Sequence, residues 1–165
     1  MSRHIEHSSS YSFPAGRVHA GLITQQYWRD RLERVGGPGA TVDQVTTGPG
    51  TISVAMSQMI PAKHLPGIVT KLRPGDLVIK RTEKWDTLEG DRAAGTFTAE
   101  VEGAPATISG TQTLTGHDAG SKVQFEADVE VKIPLIGGKI EEIIANQIMH
   151  LIEREQGFTE QWLGG

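Results

Sequence analysis

The stretch Pro134-Leu-Ile-Gly-Gly-Lys-Ile-Glu-Glu-Ile-Ile-Ala-Asn-Gln-Ile-Met-His-Leu-Ile-Glu-Arg-Glu-Gln-Gly-Phe-Thr-Glu-Gln-Trp-Leu163 decides the fold. It opens on a breaker and then runs without proline to the terminal glycines. Ile140, Ile143, Ile144, Ile148, Leu151, Phe158 and Trp162 recur at steps of three and four, so at about 100° per residue they share one face of a helix. Lys139, Glu141, Glu142, Glu153 and Arg154 fall on the flanks or the far side. One long helix with a single apolar face needs a large partner surface. Everything before it reads as β-sheet.

The cleanest of those strands lies immediately upstream. Val123, Phe125, Ala127, Val129, Val131 and Ile133 alternate with Lys122, Gln124, Glu126, Asp128, Glu130 and Lys132. One face is dry and the other wet, as in an antiparallel strand covered on one side. Further strands are expected over 3–13, 41–47, 51–60, 77–85, 95–101 and 106–115. Turn signals separate them at Gly48-Pro-Gly50, Gly103-Ala-Pro105 and Gly116 to Gly120. After the first strand, Val18, Leu22, Ile23, Tyr27, Trp28, Leu32 and Val35 follow helical spacing, with Gly21 and Thr24 weakening the middle, so one helix or two short ones are expected. Gly36-Gly-Pro-Gly39 ends that segment. Leu65, Ile68, Val69 and Leu72 suggest a short helix between Pro61 and Pro74, and residues 86–94 read as a polar loop. The expectation is an α+β fold in one domain spanning 1–165: a curved antiparallel sheet of about seven strands around a long C-terminal helix, with a helical pair after the first strand.

Composition narrows the function. The chain has 165 residues, no cysteine, a net charge of −4 and a pI near 5.8. Disulfides and thiolate chemistry are excluded. No basic tract marks a nucleic-acid partner. No segment approaches the roughly 18 apolar residues of a transmembrane span, and the polar N-terminus lacks the apolar segment of a signal peptide. A cytoplasmic protein is expected. The six histidines are scattered, so no metal site and no cofactor is expected. There is no nucleophile turn, Walker loop or dinucleotide fingerprint.

With these elements in place, the chain resembles the START/polyketide-cyclase superfamily, whose fold is the helix-grip, and more narrowly an uncharacterised actinobacterial family within it. The stretches that carry the likeness are Tyr27-Trp28, residues 65–76, Arg81 to Trp85, Gly103 to Pro105 and, most specific, Val131 to Glu141. The resemblance implies a cavity between sheet and terminal helix. In the superfamily that cavity holds lipids, sterols, polyketides or hormones, and it sometimes supports cyclisation or dehydration.

The inward face of the sheet carries polar residues in phase with apolar ones. His7, Ser9, Gln58, Arg81, Glu83 and Gln112 alternate with Ile5, Ile52, Ile79, Trp85 and Ile108, and Gln147 sits within the helical stripe. Buried polar groups cost free energy unless paired, so they mark either a satisfied network or a wet pocket; if the strands bulge they are simply exposed. Arg81 and Glu83 share a face. They read as an ion pair at the rim of the sheet or as a ligand anchor, since an arginine fork suits a carboxylate. Trp28, Trp85, Met56 and Met59 are core or cavity wall. Residues 61–76, with Pro66-Gly67 and Pro74-Gly75, form a candidate lid.

The resulting expectation is a binder of a hydrophobic small molecule such as a lipid or polyketide-like metabolite. Its candidate ligand residues are His7, Ser9, Trp28, Met56, Gln58, Ile79, Arg81, Glu83, Trp85, Phe97, Gln112, Ile143, Gln147 and Leu151. The alternatives are a cyclase or dehydratase with Glu83 or His7 moving the proton, and a protein-interaction module.

Overall fold

The computed structural model describes residues 2–165. In chain order the elements are β1 Ser2–Tyr11, α1 Ala15–Leu22, α2 Gln25–Val35, β2 Thr41–Gly48, β3 Thr51–Ile60, α3 Gly67–Leu72, β4 Leu77–Trp85, β5 Arg92–Val101, β6 Ala106–His117, β7 Gly120–Val131 and α4 Gly137–Gly164. A 3₁₀ turn, Ala62–His64, precedes α3. The strands form one seven-stranded sheet in the order β1-β7-β6-β5-β4-β3-β2, with every neighbouring pair antiparallel. From β2 to β7 the chain is an unbroken meander, and β1 lies against β7. The β2–β3 turn places Pro49 before Gly50, whose φ of +71° is the left-handed conformation a type II turn needs at its third position.

The expected elements are all present, with strand ends shifted by up to three residues. The helical segment is two helices, separated at Ile23-Thr24 and held together by the Trp28 indole, which donates to the Leu22 carbonyl at 2.6 Å. β5 begins at Arg92 rather than Gly95. Ala93 and Ala94 carry no strand signal of their own, yet Ala93 is 1% exposed in the core, and tertiary packing decides its conformation.

Two strand glycines allow close backbone approach. A Cβ on Gly95 would stand 2.7 Å from the Lys84 carbonyl oxygen and 2.9 Å from the Trp85 ring. One on Gly110 would overlap the Glu126 carbonyl oxygen and stand 2.6 Å from the Ala127 Cβ. Strand glycines mark such approaches and the bends they permit.

The helix α4 packs closely on β1, β7, α1 and α2. Its last turns join one core with α1, α2 and the sheet residues Ile52, Val54, Met56, Trp85 and Leu114. Its first half lies over a second cluster that includes Ile5, Phe97, Phe125, Val129 and Ile148. Glu141, expected on the flank, is 3% exposed, because its carboxylate accepts from the Val131 amide at 2.9 Å where β7 ends. That bond fixes where the helix leaves the sheet.

Gly110→Ala is expected to destabilise the protein by about 2 kcal/mol or more, because the clash is with backbone that no rotamer change relieves. Chemical denaturation of the variant beside Thr111→Ala, an exposed neighbour with no such contact, checks this.

Candidate functional site: an apolar cavity beside a buried charge cluster

Four charged side chains meet in the interior. Arg31 from α2 donates through Nη2 to Glu83 Oε1 of β4 at 2.7 Å and to Glu155 Oε2 of α4 at 2.9 Å. Arg81, two residues before Glu83 and therefore on the same strand face, donates through Nη2 to Glu83 Oε1 at 2.6 Å and through Nη1 to Glu155 Oε2 at 3.1 Å. Gln58 Oε1 accepts from Arg81 Nη1 at 2.7 Å, and Gln112 Nε2 donates to Glu83 Oε2 at 3.3 Å. Arg31, Arg81 and Glu83 are each below 5% exposed. The Arg31 guanidinium lies 4.5 Å from the Trp28 ring centroid, and that of Arg81 lies 5.1 Å from the Phe97 centroid, so aromatic faces complete the desolvation of both cations. The cluster is electrically neutral, which is what burial demands.

Burial alone would raise the Glu83 carboxyl. The guanidinium groups of Arg31 and Arg81 outweigh it and hold the pKa below the ordinary glutamate value. Burial likewise disfavours the charged form of Arg31, but Glu155 and Glu83 overcome it and hold its pKa well above the usual value. Both groups are ionised at neutral pH. Around them, Tyr27 is fully buried, and desolvation raises its hydroxyl pKa. That hydroxyl sits 2.5 Å from Thr159 Oγ1, which in turn donates to the Glu155 carbonyl at 2.8 Å.

The cluster divides the interior. On one side Glu83, Arg31, Glu155 and Gln112 border a void of mixed lining and about 50 Å³, space for a few water molecules and no more. On the other side Arg81 and Gln58 line a cavity of about 370 Å³. Its walls are apolar: Ile79, Phe97 and Ile108 from the sheet, Ile140 and Ile144 from α4, and Leu65 and Val69 from the 61–76 segment. The volume falls within the roughly 300–1,000 Å³ of small-molecule sites. α4 packs on the β1–β7 side and stands off β4 to β6, and that space is the cavity. The 61–76 segment closes it without a buried residue in either of its helical turns.

The residues singled out in the sequence distribute unevenly. Gln58, Ile79, Arg81, Phe97, Ile143, Gln147 and Leu151 line the large cavity. Ser9, Glu83, Trp85 and Gln112 line the small void instead, which Phe97 also borders. His7, Trp28 and Met56 line neither. Trp28 and Met56 are core, at 0% and 1% exposure, because α1 and α2 cover that end of the sheet. Two expectations are corrected. Arg81 and Glu83 pair in the interior rather than at the rim, since α2 and α4 each add a charge above them. Gln147, expected within the buried stripe, is exposed and borders the cavity, where α4 stands off the sheet. Met59, out of phase with Met56, touches the loop after α2 at Gly39 and borders the cavity.

Two members of the cluster were missed. Arg31 falls on the same helical face as Tyr27, Trp28 and Leu32, and Glu155 lies between Leu151 and Phe158 on the α4 stripe. A charge inside an apolar face was the available signal. The outer sheet face holds one juxtaposition of metal-ligand types among the described residues, His4, Glu6 and Glu126, which cross-strand pairing brings together. It is largely exposed. A hydrogen bond with Glu6 raises the Glu126 carboxyl pKa, and Asp128, 2.9 Å from His4 Nδ1, raises that of the imidazole.

A family model described as "Protein of unknown function (DUF2505)" matches residues 6–163. The chain belongs to this family. Uncharacterized proteins of Mycobacterium tuberculosis and Mycobacterium bovis are 32% identical to it over 170 residues, covering 99% of this chain and 98% of theirs. Among solved structures, a Thermus thermophilus protein superposes with a TM-score of 0.62 at 14% identity, covering 98% of this chain and 97% of its own. Ara h 8.0201 superposes at 0.59 and 10% identity, covering 96% and 98%. An aromatase/cyclase from Streptomyces sp. R1128 superposes at 0.54 and 13% identity, covering 99% and 92%. These likenesses show the fold: the chain shares the sheet-and-helix architecture of these proteins.

Removing one charge from the cluster leaves an unbalanced guanidinium in the interior. Glu83→Gln is expected to cost about 3–5 kcal/mol. Because the folded-state pKa of Glu83 is depressed, its contribution is fully present above the ordinary glutamate value of 4.5 and is lost as pH falls below it toward the folded value. Urea denaturation across pH 3–7 checks both points: the acid-side loss of stability should be shallower in the variant.

Proposed function

We propose that this protein binds a hydrophobic small molecule in the 370 Å³ cavity, in a transport or sensing role. The observation that carries the reading is the cavity itself: a space of ligand size, apolar on all sides but one, left where α4 stands away from the sheet. Burial of ligand against these walls contributes roughly 25 cal/mol per Å² of apolar surface. Arg81, Gln58 and Gln147 supply the polar contacts that orient it, with Ile79, Phe97, Ile143 and Leu151 as wall. A lipid or polyketide-like metabolite fits this description. One structural neighbour is named an aromatase/cyclase and another a norcoclaurine synthase, so the same architecture supports catalysis elsewhere. Against a cyclase or dehydratase reading here stands the state of the candidate groups. Glu83 is ionised and engaged by two arginines, and His7 lies outside both cavities. A general acid needs the opposite, a carboxyl whose pKa is raised. No helix among the described residues is long and apolar enough to cross a membrane. We place the protein in the cytoplasm, in keeping with a chain that has no cysteine.

Native mass spectrometry of protein purified from its own host is expected to show a co-purifying apolar adduct. Ala99→Phe, which projects a ring into the cavity from a strand position that is 6% exposed, is expected to lose the adduct and to weaken uptake of N-phenyl-1-naphthylamine about tenfold or more, while remaining folded. Equal uptake by both proteins would sink the reading.

A further inference from the structure

We infer that the end of the molecule at which the large cavity opens docks on an anionic lipid surface. The inference deepens the cavity reading, because the same rim surrounds both, but its evidence is separate.

Two leucines are exposed there, and they are the exposed large apolar residues of the described chain. Leu135, between β7 and α4, is fully exposed and has a φ of +72°. A leucine in the left-handed region is strained, at roughly 1–2 kcal/mol. The loop thus holds an apolar side chain in solvent in an unfavourable backbone conformation, and neither feature helps the isolated fold. Leu72, at 47% exposure, ends α3 on the lip of the cavity. The two segments belong to one rim. Arg73, next to Leu72, lies against the β5–β6 turn, where a Cβ on Gly103 would meet its Nη2 at 3.1 Å. Pro105 of the same turn accepts from the Lys132 amide at 2.9 Å, three residues before Leu135.

The charge of this rim opposes that of the chain. Residues 61–76 and 132–139 carry five cations, Lys63, Lys71, Arg73, Lys132 and Lys139, against the single carboxylate of Asp76, a net of +4 on a chain whose total is −4. All four lysines are exposed. The neighbouring strand ends add Glu100 at the cavity, Glu102, which lies 3.9 Å from Lys80, and Glu130, which lies 3.4 Å from Lys132, so among the described residues Lys63, Lys71 and Lys139 are the lysines of this rim without a carboxylate paired against them. Lysines flanking exposed leucines suit a bilayer with acidic headgroups: the cations are drawn to its surface potential and the leucines enter the interfacial layer. A nucleic acid would use the cations and leave the leucines unexplained. Docked this way, the 61–76 segment, which has no buried residue in its helical turns, faces the lipid, and the cavity mouth opens toward the apolar phase from which a hydrophobic ligand is drawn.

The test is co-sedimentation of the intact protein with vesicles, joined to sizing of the protein alone. Wild type is expected to sediment with vesicles of phosphatidylglycerol mixed with phosphatidylcholine, to be released by salt, and to remain in solution with phosphatidylcholine alone. The Leu72→Ser/Leu135→Ser double variant, altered only at exposed positions, is expected to partition about tenfold less. Lys71→Glu/Lys132→Glu should show a similar loss. Ala99→Phe should sediment like wild type, so that docking and cavity occupancy stand or fall separately. Failure of wild type to sediment, or equal sedimentation by the leucine variant, overturns the inference. So does self-association of wild type that the leucine variant abolishes, which would assign the patch to a second copy of the chain.

Discussion

Everything in this interior is arranged around four charges that must stay together. Arg31, Arg81, Glu83 and Glu155 come from α2, β4 and α4, and each is stable out of water only while the others are within hydrogen-bond distance. That requirement fixes the helical pair and the terminal helix relative to the middle of the sheet. It also sets a division. Toward α1 and α2 the space is occupied by Trp28, Tyr27, Met56 and Phe158, which leave only a void of about 50 Å³. Toward the other end the same helix stands clear of β4 to β6, and the space is left as a cavity. A neutral cluster of this kind adds little net stability over an apolar core of equal volume. Its consequence is geometric: it provides a polar wall that the apolar core does not cross.

The cavity's other boundary is built to a different standard. The cluster is largely buried and joined by several ion pairs, whereas the 61–76 segment contributes half-exposed apolar side chains and two Pro-Gly pairs. Gly75, at φ +96°, occupies a conformation open only to glycine at low cost. A segment with so little buried surface opens at a small free-energy cost compared with the sheet. One wall of the cavity is therefore held by buried ion pairs, and the wall at 61–76 buries no residue of its helical turns.

Much of this was legible in the sequence, for identifiable reasons. The strict alternation from Lys122 to Val131 and the helical period from Ile140 onward have few other physical readings, and both elements appear where expected. Gln58, Arg81, Glu83 and Gln112 were legible as inward polar residues because strand phase is a local property. Their partners were not. Arg31 and Glu155 sit on helices whose approach to β4 is set by the whole chain, so pairing across 52 and 74 residues left no local trace beyond a charge on an apolar face. Gln147 shows the converse limit. Helical period placed it in the stripe, but burial depends on what lies opposite, and Gln147 borders the cavity instead of packed side chains. Trp28 and Met56 were ambiguous for the same reason: residue size does not tell a filled space from an empty one.

Isoleucine-methyl NMR during titration with a neutral apolar probe such as N-phenyl-1-naphthylamine measures the divided interior most directly. Saturable shifts are expected at Ile79, Ile108 and Ile144, which line the cavity, with Ile23 and Ile52 on the far side of the charge cluster unmoved. Shifts spread equally across both sets, or no saturable shift at any of the five, would contradict the division of the interior and the binding function drawn from it.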